Sequence, residues 1–352
     1  MKKIKHLHIL HYTRFTIPFI NFINNTFHRE EHFFIIYRGK SFDSFKCAGN
    51  NIWKGKNITD LIYIAKKMNT SSNIYLHSMM THKIPLLLFF QPWLLKRTDW
   101  IIWGADLHFY SDHPKGLYFT LYEHIRKTVI KHLRGIISHT PADYSLAKEF
   151  YDTRAVFKEC IYYPSAFPFN IMNIKSEPKP HDTVNIMVGN SASHANNHIQ
   201  VFERLKKIEY PVHIFSPLSY GDQDYAMEVI HAGENAFQER FHPMTEYMAL
   251  EDYYSFLGSI DIAVFDLNRQ QGLGNIITLL YLEKKLFIRV PSSLSDLLDR
   301  KGFTYFNIDK IETELFKELS DEDVKKNHTI AKEKFSMSQA IKDWSNIFLN
   351  NS

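Results

Sequence analysis

Short apolar, β-branched runs alternate with helix-length segments along nearly the whole chain, and no other feature constrains the fold as strongly. The clearest instance spans residues 260–283. Ile260-Asp261-Ile262-Ala263-Val264 reads as a buried strand, residues 265–275 as a loop, and residues 276–283 as a helix with Asn275 or its neighbour near the cap. Gly272 and Gly274 let the backbone of that loop approach a ligand closely. The helix start aims unpaired N–H groups and a partial positive charge at the same place. Arg269 adds a guanidinium able to grip phosphate oxygens through two bonds, and Gln270 and Gln271 can hold sugar hydroxyls or amides. Together they compose a diphosphate site; the plain alternative is a strand-to-helix turn with a solvent-facing Arg.

The same alternation extends in both directions. Strands are expected at 6–10, 33–37, 73–77, 100–106 and 135–139, with helices at 15–27, 59–68 and 142–150. A second series follows, with strands at 184–188, 212–215, 260–265 and 286–290 and helices near 197–208, 225–231 and 253–257. Between the two, Pro164, Pro168, Pro178 and Pro180 interrupt any helix or central strand. The expected organisation is an α/β domain over 1–165, a linker over 166–183, a second α/β domain over 184–325 and a helical tail over 326–352. A length of 352 residues suits two domains, each able to bury a core.

Composition narrows the class further. A net charge of +4 does not call for nucleic acid, although a local basic patch can still meet a membrane. Cys47 and Cys160 lie far apart without ligand spacing, which fits a reducing compartment. The first residues lack the apolar core and cleavage site of a signal peptide, and no apolar run approaches the ~20 residues that span a bilayer.

Two α/β domains around a Pro-rich linker, with the phosphate-type loops in the second, point to the GT-B glycosyltransferase architecture. Two Rossmann-like domains would face a cleft holding a nucleotide-sugar donor against an acceptor. Two-domain dehydrogenases and periplasmic-type binding proteins share the periodicity. Neither strand 6–10 nor strand 184–188 leads into Gly-x-Gly-x-x-Gly, which speaks against the former. The missing export signal speaks against the latter.

Three motifs carry a more specific likeness: Ile102-Trp103-Gly104-Ala105-Asp106-Leu107, Val188-Gly189-Asn190-Ser191 and Arg269-Gln270-Gln271-Gly272-Leu273-Gly274. In this order and spacing, with His77 after its strand and Tyr163-Pro164 before the linker, the chain resembles the 4-acetamido-4,6-dideoxygalactose (Fuc4NAc) transferases. These are grouped as glycosyltransferase family 56 and often labelled 4-alpha-L-fucosyltransferases. The resemblance covers most of the chain. It implies a dTDP-Fuc4NAc donor and a polyprenyl-diphosphate-linked oligosaccharide (lipid II) acceptor in enterobacterial common antigen assembly. It also implies peripheral attachment at the cytoplasmic face of the bacterial inner membrane. A related transferase using another nucleotide sugar for O-antigen or capsule synthesis, and a non-catalytic nucleotide-sugar-binding protein, remain as alternatives.

The candidate site residues divide between the domains. Gly189, Asn190 and Ser191 follow a strand and precede a helix, so their amides and the Ser191 hydroxyl are placed for phosphate or donor sugar. With them go Arg269, Gln270, Gln271, Gly272 and Gly274, and Glu246 for ribose hydroxyls; a helix-start acid is the plain reading of Glu246. Asp106 is the first candidate for taking the acceptor hydroxyl proton, against a plain capping role, and His77 is the second. His8 and His11, in the first strand-to-helix connection, rank below them. Asp222-Gln223-Asp224 has the form of a metal–diphosphate triplet but sits at a helix start, where acids are expected. His194 and His198 share a spacing without a third ligand. No metal and no cofactor beyond the nucleotide-sugar substrate are expected. Finally, 85–97 and 115–134 interleave apolar and aromatic residues with Lys and Arg, which suits contact with an anionic lipid surface; a core helix beside a solvated helix explains them equally well.

Overall fold

In a computed structural model, residues 4–37, 49–55, 60–80, 83–112, 116–170, 173–175, 183–268 and 271–349 are described. The chain divides into two units, 1–165 with 337–352, and 166–336.

The first unit is a seven-stranded sheet. Its strands are β1 (Ile4–Leu10), β2 (His32–Tyr37), β3 (Ile52–Gly55), β4 (Ser71–His77), β5 (Thr98–Ile101), β6 (Gly135–Ser138) and β7 (Val156–Glu159). Interleaved with them run α1 (Thr16–Thr26), α2 (Asp60–Thr70), α3 (Lys83–Phe90), α4 (Phe109–Asp112), α5 (Leu117–Lys131) and α6 (Pro141–Tyr151). The second unit is a six-stranded sheet of β8 (Val184–Val188), β9 (Val212–Pro217), β10 (Phe241–Met244), β11 (Ile262–Phe265), β12 (Lys285–Ile288) and β13 (Phe306–Asn307). Its helices are α7 (His198–Leu205), α8 (Gln223–Phe237), α9 (Leu250–Ser259), α10 (Leu273–Tyr281), α11 (Ser293–Lys301), α12 (Ile311–Glu314) and α13 (Asp321–Lys334). The last helix, α14 (Met337–Leu349), returns to the first unit.

All pairings in both sheets are parallel. The orders are β3-β2-β1-β4-β5-β6-β7 and β10-β9-β8-β11-β12-β13. Each sheet therefore starts at its middle, grows one way and then reverses, which opens a crevice at the carboxyl ends of β1 and β4 and of β8 and β11. Parallel strands covered on both faces read as continuous apolar runs, which is how β1, β2, β4, β8 and β11 are legible in the sequence.

Alternation along β1 splits the first core in two. Leu7 and Ile9 join Ile35, Ile74, Leu76, Trp100 and Ile136 in one fully apolar layer. His6 and His8 face the other way, under Phe19 of α1 and Trp344 and Phe348 of α14. Each large side chain buried in these layers contributes about 1.5–3 kcal/mol relative to exposure. The helix starts obey local rules: Thr140 accepts from Ala142 N–H with Pro141 at the first turn, and Ser292 and Ser295 form a reciprocal capping box. Of the tail at 326–352, α13 belongs to the second unit and α14 to the first.

Candidate functional site

In the second unit two loops meet where the strand order reverses. The first leaves β8 through Gly189, which has φ +72°, and a Cβ there would stand 2.4 Å from His198 Nε2. Asn190 N–H donates to Asn196 Oδ1 (3.1 Å), and Asn196 Nδ2 donates back to the Ser191 carbonyl (3.0 Å). The second loop leaves β11 through Asp266 and enters α10 at Gly272, which has φ +66° and caps the helix without a side-chain bond. The loops are laced together. Asn197 Nδ2 donates to the Asp266 carbonyl (2.6 Å), and Asn268 N–H donates to the Ala195 carbonyl (3.0 Å). The open end of α10, with its partial positive charge, thus faces the Gly189–Ser191 turn.

Within this crevice Asn190 is buried, donates Nδ2 to Tyr220 Oη (3.1 Å), and leaves Oδ1 without a partner among the described residues. Gln271 likewise has a buried Nε2 without one. Buried polar atoms cost stability unless something pairs with them, so this crevice is built for a polar occupant. Ser191 is buried beside Asn196 Nδ2 (3.4 Å). Arg269 and Gln270 lie outside the described residues.

Other expected donor residues are placed differently. Gly274 is set by packing: a Cβ there would lie 2.6 Å from the Ala166 carbonyl, and its own carbonyl accepts from Thr278 Oγ1. Glu246 is exposed in the loop after β10, the edge strand. That is two strand spacings from β8, roughly 10 Å. Asp222 caps α8, accepting from the amides of Asp224 (3.0 Å) and Tyr225 (3.2 Å). His194 packs at a tilt against the Tyr225 ring while His198 contacts its hydroxyl, so the two imidazoles serve the same tyrosine. Among the described residues no cluster of three or more His, Cys, Asp or Glu could hold a metal ion.

Two residues in this unit escape a motif reading. Asp266 directly follows β11 and is largely buried, with its carboxyl raised above the usual range by burial and pulled back by Arg289. Arg289 follows β12, and its Nε lies 2.8 Å from Asp266 Oδ1. The only signal in the sequence is that each charge sits one step beyond an apolar run.

In the first unit, His77 ends β4 at the reversal point but is wholly enclosed. Its Nδ1 lies 2.6 Å from Tyr163 Oη and its Nε2 3.2 Å from His8 Nδ1; His8 Nε2 continues to His32 Nδ1 at 3.1 Å. Burial pushes His77 down to about 3, so the ring is neutral and engaged at both nitrogens. Asp106 lies in the turn after β5, not on the strand, and is fully buried. Its carboxylate accepts from Met79 N–H (2.9 Å), Trp100 Nε1 (2.7 Å) and Trp103 N–H (2.9 Å). That is the geometry of a fastener joining the β4 and β5 loops; deprotonating a substrate would mean giving up part of this set. His8 lies within β1 and is buried, whereas His11 follows the strand and is only half-buried. Burial lowers His11 from its usual value, and the nearby Asp106 charge opposes that shift.

The family model described as "4-alpha-L-fucosyltransferase glycosyl transferase group 56" matches residues 3–350. Solved structures of the same fold include HepE of Anabaena in complex with UDP and glucose, 12% identical, covering 99% of this chain and 100% of that one at a TM-score of 0.69. A glycosyltransferase of Rickettsia africae is 13% identical over 100% and 99% of the two chains, at 0.65. An alpha,alpha-trehalose-phosphate synthase of Burkholderia vietnamiensis is 7% identical over 99% of each, also at 0.65. The two-domain α/β fold is thus that of GT-B glycosyltransferases.

Proposed function

The chain belongs to the 4-alpha-L-fucosyltransferase family, glycosyl transferase group 56, and on that footing we propose that it moves Fuc4NAc from dTDP-Fuc4NAc to a polyprenyl-diphosphate-linked oligosaccharide. The supporting observation is the crevice between β8 and β11, where the Gly189–Ser191 turn and the Gly272 end of α10 meet around buried amide atoms without a partner among the described residues. Backbone amides and a helix start favour the charge that builds on a departing diphosphate. Arg269 and Gln270 belong to the same loop by sequence and are proposed as donor contacts with Asn190, Ser191 and Gln271.

For the acceptor hydroxyl we place the proton on His11. It stands at the carboxyl end of β1, at the reversal point of its sheet, and Asp106 lies behind it as a charge that favours the imidazolium once formed. His77 and Asp106 then hold the surrounding loops. A lipid-linked acceptor requires a membrane surface. In support, Phe90, Trp93, Leu117, Tyr118 and Leu121 are strongly exposed on α3, α5 and the turn between α3 and β5, with Lys96 and Lys127 exposed beside them. No helix among the described residues is long and apolar enough to cross a membrane. The proposed setting is peripheral attachment at the cytoplasmic face, in enterobacterial common antigen assembly.

The test is thermal stabilisation by dTDP and by UDP, with and without divalent metal. Saturating nucleotide raises stability by about 2.7 kcal/mol at a hundredfold excess over Kd. Selective, metal-independent stabilisation by dTDP supports the donor class, and a metal requirement counts against the metal-free site. Preference for UDP, the nucleotide bound by HepE, favours a transferase for another sugar in O-antigen or capsule synthesis. No response to either removes the donor-site assignment. Binding without turnover on any lipid-linked acceptor favours a nucleotide-sugar-binding protein.

A further inference from the structure

We infer that Arg289, held by Asp266, receives the diphosphate of the donor; this rests on the reading of the β8–β11 crevice as the donor site. Arg289 follows β12, the strand beside β11, and its N–H donates to the Phe265 carbonyl (3.3 Å), so its backbone runs alongside the start of the glycine loop. The side chain turns toward that loop, with Nε 2.8 Å from Asp266 Oδ1 and 39% of its surface exposed. The closest contact is through Nε, a buried atom, while the exposed part of the side chain makes no hydrogen bond to a described residue. A two-pronged fork would use up the guanidinium; a contact through Nε leaves the Nη donors to offer an incoming anion.

Arg204 is the contrasting case. Its charge also reaches Asp266, but it is locked to Glu312 by aligned bonds of 2.9 and 2.8 Å. Among the described residues at this edge, Arg289 is thus the guanidinium with capacity for a ligand, and it lies one strand from the uncapped start of α10. Asp266 is a positioning residue. It is buried enough that its charge pulls the guanidinium inward when the site is empty, and it yields to the stronger charge of a diphosphate. In the reaction the acceptor oxygen bonds the anomeric carbon and the carbon–oxygen bond to the diphosphate breaks. The electron pair stays with the diphosphate, whose added negative charge Arg289 faces, and the hydroxyl proton passes to the base.

The test compares Kd for dTDP with Kd for thymidine, and in parallel UDP with uridine, in wild type, R289Q, R289K, D266N, D266E and the double variant D266N/R289Q. The double variant removes the unpaired carboxylate that R289Q alone would leave buried. For whichever nucleotide wild type binds, R289Q and the double variant should lose at least tenfold in diphosphate affinity with nucleoside affinity unchanged, and R289K should fall between. D266N should narrow the diphosphate-to-nucleoside ratio and D266E restore part of it; a merely structural defect would weaken both ligands alike. If the folded double variant holds the diphosphate as tightly as wild type, the assignment of Arg289 is overturned while the donor site stands. If wild type binds neither diphosphate, the donor-site reading itself fails.

Discussion

Gly272 faces Asn190 so closely that a Cβ on the glycine would lie 2.9 Å from the Asn190 Oδ1. One loop comes from β11 and the other from β8, and glycine is needed twice over, for the contact and for a φ of +66°. Gly272→Ala should therefore cost about 1–3 kcal/mol in the second unit, through left-handed strain and the displaced amide. It should also lose most of the stabilisation by dTDP. Denaturant melts with and without nucleotide check this; an alanine variant that binds as wild type would separate the Gly272 contact from the donor site.

Asp106 and His11 should part company on mutation. Asp106→Asn places an amide among three donors, two of them buried, and should destabilise the first unit by about 1–3 kcal/mol. His11→Ala should leave stability nearly unchanged, retain nucleotide binding and abolish turnover. Stability by urea denaturation and single-turnover transfer measure the two effects. An Asp106→Asn protein of wild-type stability without turnover would return the proton to Asp106.

The buried histidines make stability pH-dependent. His6, His32 and His77 are held down to about 3 chiefly by burial, and His8 is lowered well below its usual value for the same reason. An unfolded chain protonates them near 6.5. The unfolded state thus binds more protons between these values, so the stabilisation is complete above about pH 6.5 and falls away as pH drops toward 3. The Tm should decline across that window, and His8→Phe should flatten the decline. A Tm independent of pH from 7 to 4 would contradict it.

Membrane contact should depend on the outer face of α5. Leu117→Glu with Leu121→Glu alters exposed side chains only, so the fold should hold while cosedimentation with anionic vesicles drops severalfold. Neutral vesicles should bind wild type more weakly than anionic ones. Equal binding of variant and wild type to anionic vesicles would relocate the lipid surface.

Nine of the strands are legible as apolar runs, and the four that are not, β3, β7, β10 and β13, are the edges of the two sheets. An edge strand is covered on fewer sides, so its pattern fades. Val156 at the start of β7 is exposed, β10 carries Pro243, and β13 is only Phe306 and Asn307. The glycine turns at Gly189 and Gly272 were visible because a strand, a glycine and a helix are adjacent in sequence. Arg289 was not, because its partner Asp266 follows a different strand.

By itself, then, the sequence determined two α/β units, the glycine turns that open onto their crevices, and a family likeness spread over most of the chain. These follow from local periodicity and backbone freedom, which need no distant partner. Only the tertiary structure decided which charged and imidazole groups are free to act. Burial and hydrogen bonding are set by residues far apart in the chain: Asp106 is occupied by Met79, Trp100 and Trp103, and His77 by His8 and Tyr163. Arg289 is turned toward the glycine loop by a carboxylate just beyond the end of the neighbouring strand.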